Sequence, residues 1–281
     1  MKKMKQIFNK EKHSKLDSPQ HFFREIEVEF LIHELKDPVA IIETGVRTLL
    51  EKRDQFGTLS SRQEKTLKRI LRNSNKTRAM LNSLLEIGRS EAGSFICCRF
   101  QPEKTAYGIL LDALGTIAGN ISEQFRTCSE EREALELLSR HGIFLDIAPH
   151  VADIEMYQDE TKFRQIVGNL IKNALHYRKD RIEIKVDIKK DLLVVDVIDD
   201  GPGIDPEDHQ VIFQRYKQVN ESSATPQRGH GLGLAGALIM ARCLGGDIEL
   251  KSKKGKGATF RLILPVSFKS DGEQGEESDL L

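Results

Sequence analysis

The chemistry of this chain rests on one histidine, a few amides and carboxylates, and two glycine-rich runs. The first group is His33-Glu34-Leu35-Lys36-Asp37-Pro38. Neutral imidazole is a nucleophile near physiological pH, and a carboxylate can fix its tautomer and accept its proton. Consecutive helix residues point about 100° apart, so Glu34 serves His33 only through a rotamer that reaches back to the ring. Further along lies Asn169-Leu170-Ile171-Lys172-Asn173-Ala174, where two asparagines four apart share a helix face. An amide oxygen is a hard ligand suited to Mg2+. Asp199-Asp200-Gly201-Pro202-Gly203 closes an apolar strand with an acid that can accept from an exocyclic amine such as adenine's, beside glycines that permit close approach. Gly229-His230-Gly231-Leu232-Gly233-Leu234 opens a helix, whose free N–H groups and positive dipole end suit phosphate. It has neither the preceding strand of a Rossmann fingerprint nor the Gly-Lys-Ser/Thr ending of a Walker loop.

Each segment alone has a plainer reading. A single helical histidine is usually inert, paired asparagines are usually solvated, and Asp-Gly-Pro-Gly makes an ordinary turn. The elements that must position them sharpen the choice. Val28, Ile32, Leu35, Val39, Ile42, Val46 and Leu49 recur in steps of three and four, as in a helix with one apolar seam. His33 falls off that seam, toward solvent. Pro38 inside the helix costs about 3 kcal/mol and suggests a bend one turn past the histidine. Gly57 within 54–60 supplies a turn, and Ser61 with Glu64 offers a capping box for a second helix carrying Leu67, Ile70, Leu71, Leu81, Leu84 and Leu85. Two such helices cannot bury both seams against each other, so dimerisation into a four-helix bundle is expected. A purely structural coiled-coil hairpin accounts for the periodicity equally well.

After Gly93 the period changes. Strand-like runs at 143–147, 182–188, 192–198, 247–251 and 259–264 alternate with helical stretches at 160–177, 206–216 and 232–244. Segment 119–140 reads as helix and polar loop. The fold class expected is α+β multidomain: an antiparallel helical hairpin forming a dimeric four-helix bundle, followed by an α/β-sandwich ATP-binding domain with helices on one face of a mixed sheet. The expected domains are a polar tail (1–20), a phosphoacceptor hairpin (21–93), a mobile linker (94–100), the ATP-binding domain (101–267) and an acidic, disordered tail (268–281).

The 43 basic and 43 acidic residues balance, which gives no reason to expect nucleic acid or an anionic membrane as partner. Six lysines in the first fifteen positions read as a solvated terminus. No apolar run is long enough to cross a bilayer, so a cytoplasmic location is expected. Cys97, Cys98, Cys128 and Cys243 lack zinc-site spacing, and the adjacent pair reads as ordinary linker or strand.

The first motif resembles the H-box of two-component sensor histidine kinases, and the other three resemble, in order, the N, G1 and G2 boxes of the gyrase, heat-shock chaperone, histidine-kinase and mismatch-repair ATPases. Ile212-Phe213-Gln214-Arg215-Tyr216 looks like the kinase F-box. The resemblance runs from about Phe22 to Pro265. It implies ATP and Mg2+ as cofactors, His33 as phosphoacceptor with Glu34 as general base, and Asn173 on the metal with Asn169 and Tyr177 beside it. By the same resemblance Asp199 recognises adenine, and Gly201, Gly203, Gly229, Gly231, Leu232 and Gly233 shape the pocket. Lys217 and Arg228 bound a lid over 217–228 and reach the phosphates. The partners implied are a second copy of the chain and the receiver domain of a response regulator, with a separate sensory protein as a source of signal. Three positions depart from the pattern. Asp37 replaces threonine or asparagine, which bears on phosphatase activity, while His176 and His230 replace lysine and threonine or serine, which bears on nucleotide affinity. Two other classes keep the same nucleotide fold: an ATP-driven conformational clamp, and a dimeric scaffold without histidine phosphorylation.

Overall fold

The computed structural model describes residues 19–117, 124, 131–213 and 233–268, with side chains from Phe30 onward except at 116, 117 and 131. The chain divides into two compact units, Met1–Ala92 and Gly93–Leu281.

In the first unit, helix α1 (Pro19–Glu51) is followed by a short turn of helix, α2 (Arg53–Phe56), and by α3 (Ser61–Glu91). At 33 residues α1 is about 50 Å long, and its helical assignment runs through Pro38. The reversal needs Gly57, whose φ of +84° is costly for other residues. The capping box lies one residue earlier than expected. Ser60 Oγ accepts from the Gln63 N–H, while Gln63 Oε1 accepts from the Ser60 N–H at 2.8 Å. Glu64 instead pairs with Lys68 and Arg53.

The expected single seam on α1 is two stripes. Ile32 is buried with Leu81 and Leu85, and Val39 packs against them. Leu35 and Ile42, placed on the same seam by periodicity, are 52% and 48% exposed, and Leu31 and α3's Ile70 are exposed as well. A helix about 10 Å across presents only part of its apolar arc to a single partner.

One buried group in the hairpin is charged. Glu43 is 4% exposed and sits 2.9 Å from the Arg78 guanidinium, while its second oxygen is buried without a partner among the described residues.

The second unit is a five-stranded mixed sheet in the order β2-β4-β5-β7-β6. The strands are β2 (Ile143–Ile147), β4 (Ile182–Lys189), β5 (Leu192–Asp199), β6 (Asp247–Ser252) and β7 (Ala258–Pro265). Only β2 and β4 run parallel. A two-stranded antiparallel sheet joins β1 (Cys98–Phe100) to β3 (Met156–Gln158). The helices are α4 (Pro102–Ile117), α5 (Glu131–Arg140), α6 (Glu160–Tyr177) and α7 (Gly233–Cys243). Period-two alternation turns Ile182, Ile184, Val186, Leu193, Val195, Val197, Phe260, Leu262 and Leu264 to one face. There they meet α4 (Leu110, Leu114), α6 (Phe163, Ile166, Leu170) and α7 (Met240). On the opposite face Asp196 and Arg261, register partners across β5 and β7, form a two-pronged ion pair at 2.7 and 2.8 Å.

Several expectations meet the structure here. The helix expected over 206–216 is two short 3-10 turns, Pro206–Asp208 and Val211–Phe213; 214–216 lies outside the described residues. Residues 94–100, expected as a linker, include β1 and fold with the second unit. Of 119–140, Glu131–Arg140 is helix and Gln124 is helical, the rest lying outside the described residues. Of the expected tails at 1–20 and 268–281, residues 1–18 and 269–281 lie outside them too, whereas Pro19 and Gln20 belong to α1 and Phe268 packs against Phe95. Among the described residues no helix is long and apolar enough to cross a membrane.

Arg78→Met strands the Glu43 carboxylate in the hairpin. It is expected to cost about 1–3 kcal/mol, below the value for a fully buried pair because Arg78 is half exposed. Replacing both residues (Glu43→Leu with Arg78→Met) should recover most of that loss in urea unfolding.

Candidate functional site

In the first unit the site begins with helix geometry. Ile32 is fixed against α3, so the next residue, turned about 100° around the axis, faces away from the packed side. His33 is accordingly exposed, as are Glu34 and Asp37. The imidazole is therefore carried on a packed helix with its ring open to approach. No hydrogen bond joins Glu34 to His33 in this structure, so the reach-back rotamer expected of Glu34 is not the one adopted.

In the second unit α6 carries the two asparagines. Its N-cap is Asp159, whose Oδ1 accepts from the Lys162 N–H at 3.0 Å. Packing of Phe163, Ile166, Val167, Leu170, Ile171 and Ala174 on the sheet fixes the helix's rotation. Asn169 and Asn173, both part-buried, flank that face. The Asn169 amide donates to the Gly233 carbonyl at 3.3 Å and so ties α6 to the first turn of α7. Tyr177 closes α6 half exposed, its hydroxyl pKa raised by burial, with its ring edge-on to His176 at 4.8 Å.

The tandem acids after β5 divide their work. Asp200 points back to the chain: its carboxylate accepts from the amides of Lys179 and Asp180 at 2.9 and 3.2 Å. Asp199 is buried, and its Oδ1 accepts from the Gly201 N–H at 2.9 Å. Burial raises its carboxyl above the ordinary range and the Asp200 charge adds to this, against the opposing donors Gly201 and Ala258. Among the described residues no cation pairs with Asp199.

The loop after Asp199 is braced by the turn between β6 and β7, which the sequence reading did not single out. Ser252 Oγ accepts from the Ile204 N–H at 2.9 Å and donates to the Gly257 carbonyl at 2.7 Å. Gly255 N–H donates to the Pro202 carbonyl. Gly203 and Gly257 have φ of +68° and +74°, and a Cβ on them would overlap the carbonyl oxygens of Lys253 and Asp199 respectively. The Gly255–Gly257 spacing was its only signal, and it reads as an ordinary hairpin turn.

The structure thus joins Asn169 to Gly233, and Asp199 to Gly201, through direct hydrogen bonds. Lys217, Arg228, Gly229, Gly231 and Leu232 lie outside the described residues. The described residues hold no group of three or more His, Cys, Asp or Glu side chains placed to bind one metal ion. One or two amide oxygens are a sparse set, which fits Mg2+ when phosphate oxygens and waters complete its shell.

The raised Asp199 pKa has a stability consequence. The folded chain holds this proton more tightly than the unfolded one, so the group's penalty is absent below the ordinary aspartate value and complete above the folded value. Asp199→Asn keeps an acceptor oxygen and loses the charge. It is expected to melt at or above the parent's temperature at neutral pH, the gap closing in strong acid. A lower melting temperature at neutral pH would contradict this.

Two family models match the chain. Residues 27–93 match the His Kinase A (phospho-acceptor) domain, and residues 158–267 match the histidine kinase-, DNA gyrase B- and HSP90-like ATPase. The sensor histidine kinase RppB of Synechocystis is 26% identical over 83% of this chain and 47% of its own length. Sensor protein KdpD of Escherichia coli is 25% identical over 95% of this chain and 27% of its own. Sensor histidine kinase WalK of Bacillus subtilis reaches 34% over 44% of this chain and 21% of its own. The chain spans about half or less of these curated relatives. Among solved structures, full-length ShkA in complex with AMPPNP has a TM-score of 0.62 at 20% identity, covering 85% of this chain and 45% of that one. The Acinetobacter baumannii histidine kinase AdeS has a TM-score of 0.50 at 20% identity, covering 83% and 98%; both likenesses concern the fold. With a phosphoacceptor domain followed by an ATPase domain, and the histidine motif inside the first, the chain belongs to the two-component sensor histidine kinases.

Proposed function

We propose that the chain transfers the γ-phosphoryl group of ATP to His33 and passes it on to an aspartate of a response-regulator receiver domain. The observation that carries this reading is the exposed His33 on a helix whose other side is packed. A nucleophile held on a rigid element but open to approach is what in-line transfer requires. The imidazole nitrogen forms the new N–P bond as the bond from the γ-phosphorus to the bridging oxygen breaks and ADP leaves. Glu34 accepts the ring proton after a rotamer change. Asp199 receives the exocyclic amine of adenine, a role that its burial and its lack of a cationic partner support. Gly201, Gly203 and Gly233, with Tyr177, border the nucleotide. Lys217, Arg228, Gly229, Gly231 and Leu232 keep the phosphate-facing roles that the family resemblance implies.

Asn173 would hold Mg2+ through its amide oxygen, with Asn169 one turn away. When bound, the ion neutralises charge on the transferring phosphates. A second copy of the chain covers Leu31, Leu35, Ile42 and Ile70, completing a four-helix bundle. Asp37, one turn after His33, stands where the family resemblance places the side chain that bears on dephosphorylation of the regulator.

Incubation with γ-labelled ATP tests the reading. Acid-labile, base-stable label is expected on the parent chain and absent from His33→Ala, with nucleotide binding retained in that variant. Label that survives in His33→Ala would move the acceptor to another residue, and absence of label from the parent would instead favour a conformational clamp. Asn173→Ala is expected to slow labelling by about 100-fold or more, the scale of removing one charge-positioning contact.

A further inference from the structure

We propose that Phe95 is a positioning residue for transfer to His33: clamped by Lys162 and Phe268, it fixes where the tether between the two units begins. The inference rests on the kinase reading above. Helix α3 ends at Glu91, and Ala92 is its cap. Gly93 follows with a φ of +73° and open space where a Cβ would stand, and the second unit starts there. Two residues later the chain is already held. The Phe95 ring lies 5.1 Å from that of Phe268 at 55°, and the Lys162 ammonium sits 5.5 Å from the Phe95 centroid. The Ile96 N–H donates to Asp159 Oδ2 at 3.0 Å, although the Ile96 side chain is 82% exposed.

What holds these residues is costly to build. Lys162 is 3% exposed and Asp159 4%, and burying an ammonium requires compensation. Asp159 provides it at 3.8 Å, and the Phe95 ring adds the attraction of its π face. Asp159 is also the N-cap of α6, the helix that bears Asn169 and Asn173. The clamp therefore ties the tether to the helix that holds the candidate metal ligands. A merely ordinary core contact would not need a buried charge pair facing two residues of a connector.

With the clamp closed, two residues (Gly93 and Ser94) lie free between the helix cap and the anchor. With it open, the free stretch runs five, Gly93 to Cys97, up to the start of β1 at Cys98. The local concentration of one tethered group around another falls roughly as the −3/2 power of tether length, so release should dilute the encounter about fourfold.

The test uses the full chain. Phe95→Ala is expected to lower the rate of His33 labelling at saturating Mg-ATP about fourfold, with KM for ATP unchanged, and to speed hydrogen exchange at the Ile96 amide. Phe95→Tyr, which keeps the ring, should restore the rate. An unchanged or faster rate, or a loss carried by KM, overturns the inference while leaving the kinase reading intact. Absence of label on the unmutated chain overturns the kinase reading itself, whatever Phe95→Ala does. If Phe95→Ala fails to fold by thermal melt, Lys162→Met, which keeps the side-chain bulk, is judged by the same rate, KM and exchange outcomes.

Discussion

The packing of α6 on the five-stranded sheet is the constraint from which the second unit's geometry follows. Phe163, Ile166, Val167, Leu170, Ile171 and Ala174 are each essentially removed from water. At about 1.5–3 kcal/mol for each larger side chain, no other rotation of the helix competes. Rotating it by one residue would carry these groups about 100° into solvent and bring Asn169 and Asn173 with them out of place. The asparagines are thus held by apolar groups that never meet a ligand. Their precision comes from close-packing, which tolerates little slack.

The first unit works under a looser rule. Two long helices cover only part of each other, and the residue of apolar surface along Leu31, Leu35 and Ile42 is left outside the hairpin. Inside it, one carboxylate is kept buried at the cost of a partner-less oxygen. Such a group contributes little net stability, but it penalises sliding of one helix past the other, since a shift of one turn separates Glu43 from Arg78. The phosphoacceptor helix is thereby held in one axial register while its histidine face stays bare.

Strong periodicity made most of this architecture legible in the sequence. The five strands of the main sheet and α6 match their expected positions because alternation and capping agree there, Asp159 preceding a long apolar face, whereas the three-residue β1 and β3 are not among the expected strands. Where signals overlap by one residue, the sequence is ambiguous: Ser60-Ser61-Arg62-Gln63-Glu64 contains two possible capping boxes, and the Ser60 with Gln63 pair forms. Asp199 and Asp200 pose the same problem, and only the deeper burial of Asp199 and the different amides each accepts from separate the inward acid from the one that fastens the chain. The helix expected over 206–216 forms only as short 3-10 turns, since Val211-Ile212-Phe213 is too short an apolar run to sustain more. Long-range bracing by Ser252 and Gly257 leaves only the Gly255–Gly257 spacing of an ordinary turn, and the anchoring of residues 95–96 leaves no local pattern, because both depend on partners more than forty residues away.

The paired Asp196 and Arg261 on the open face of the sheet carry a consequence for how the sheet assembles. They stand opposite each other across β5 and β7, and Glu249 of β6 stands opposite Arg261 on its other side. Side chains alternate faces along a strand, so pairing β7 one residue out of step would turn the guanidinium into the apolar interior, against Val195 or Val197. The misaligned strand would have to bury an uncompensated charge, so the placement of this ion pair penalises wrong registers of β7.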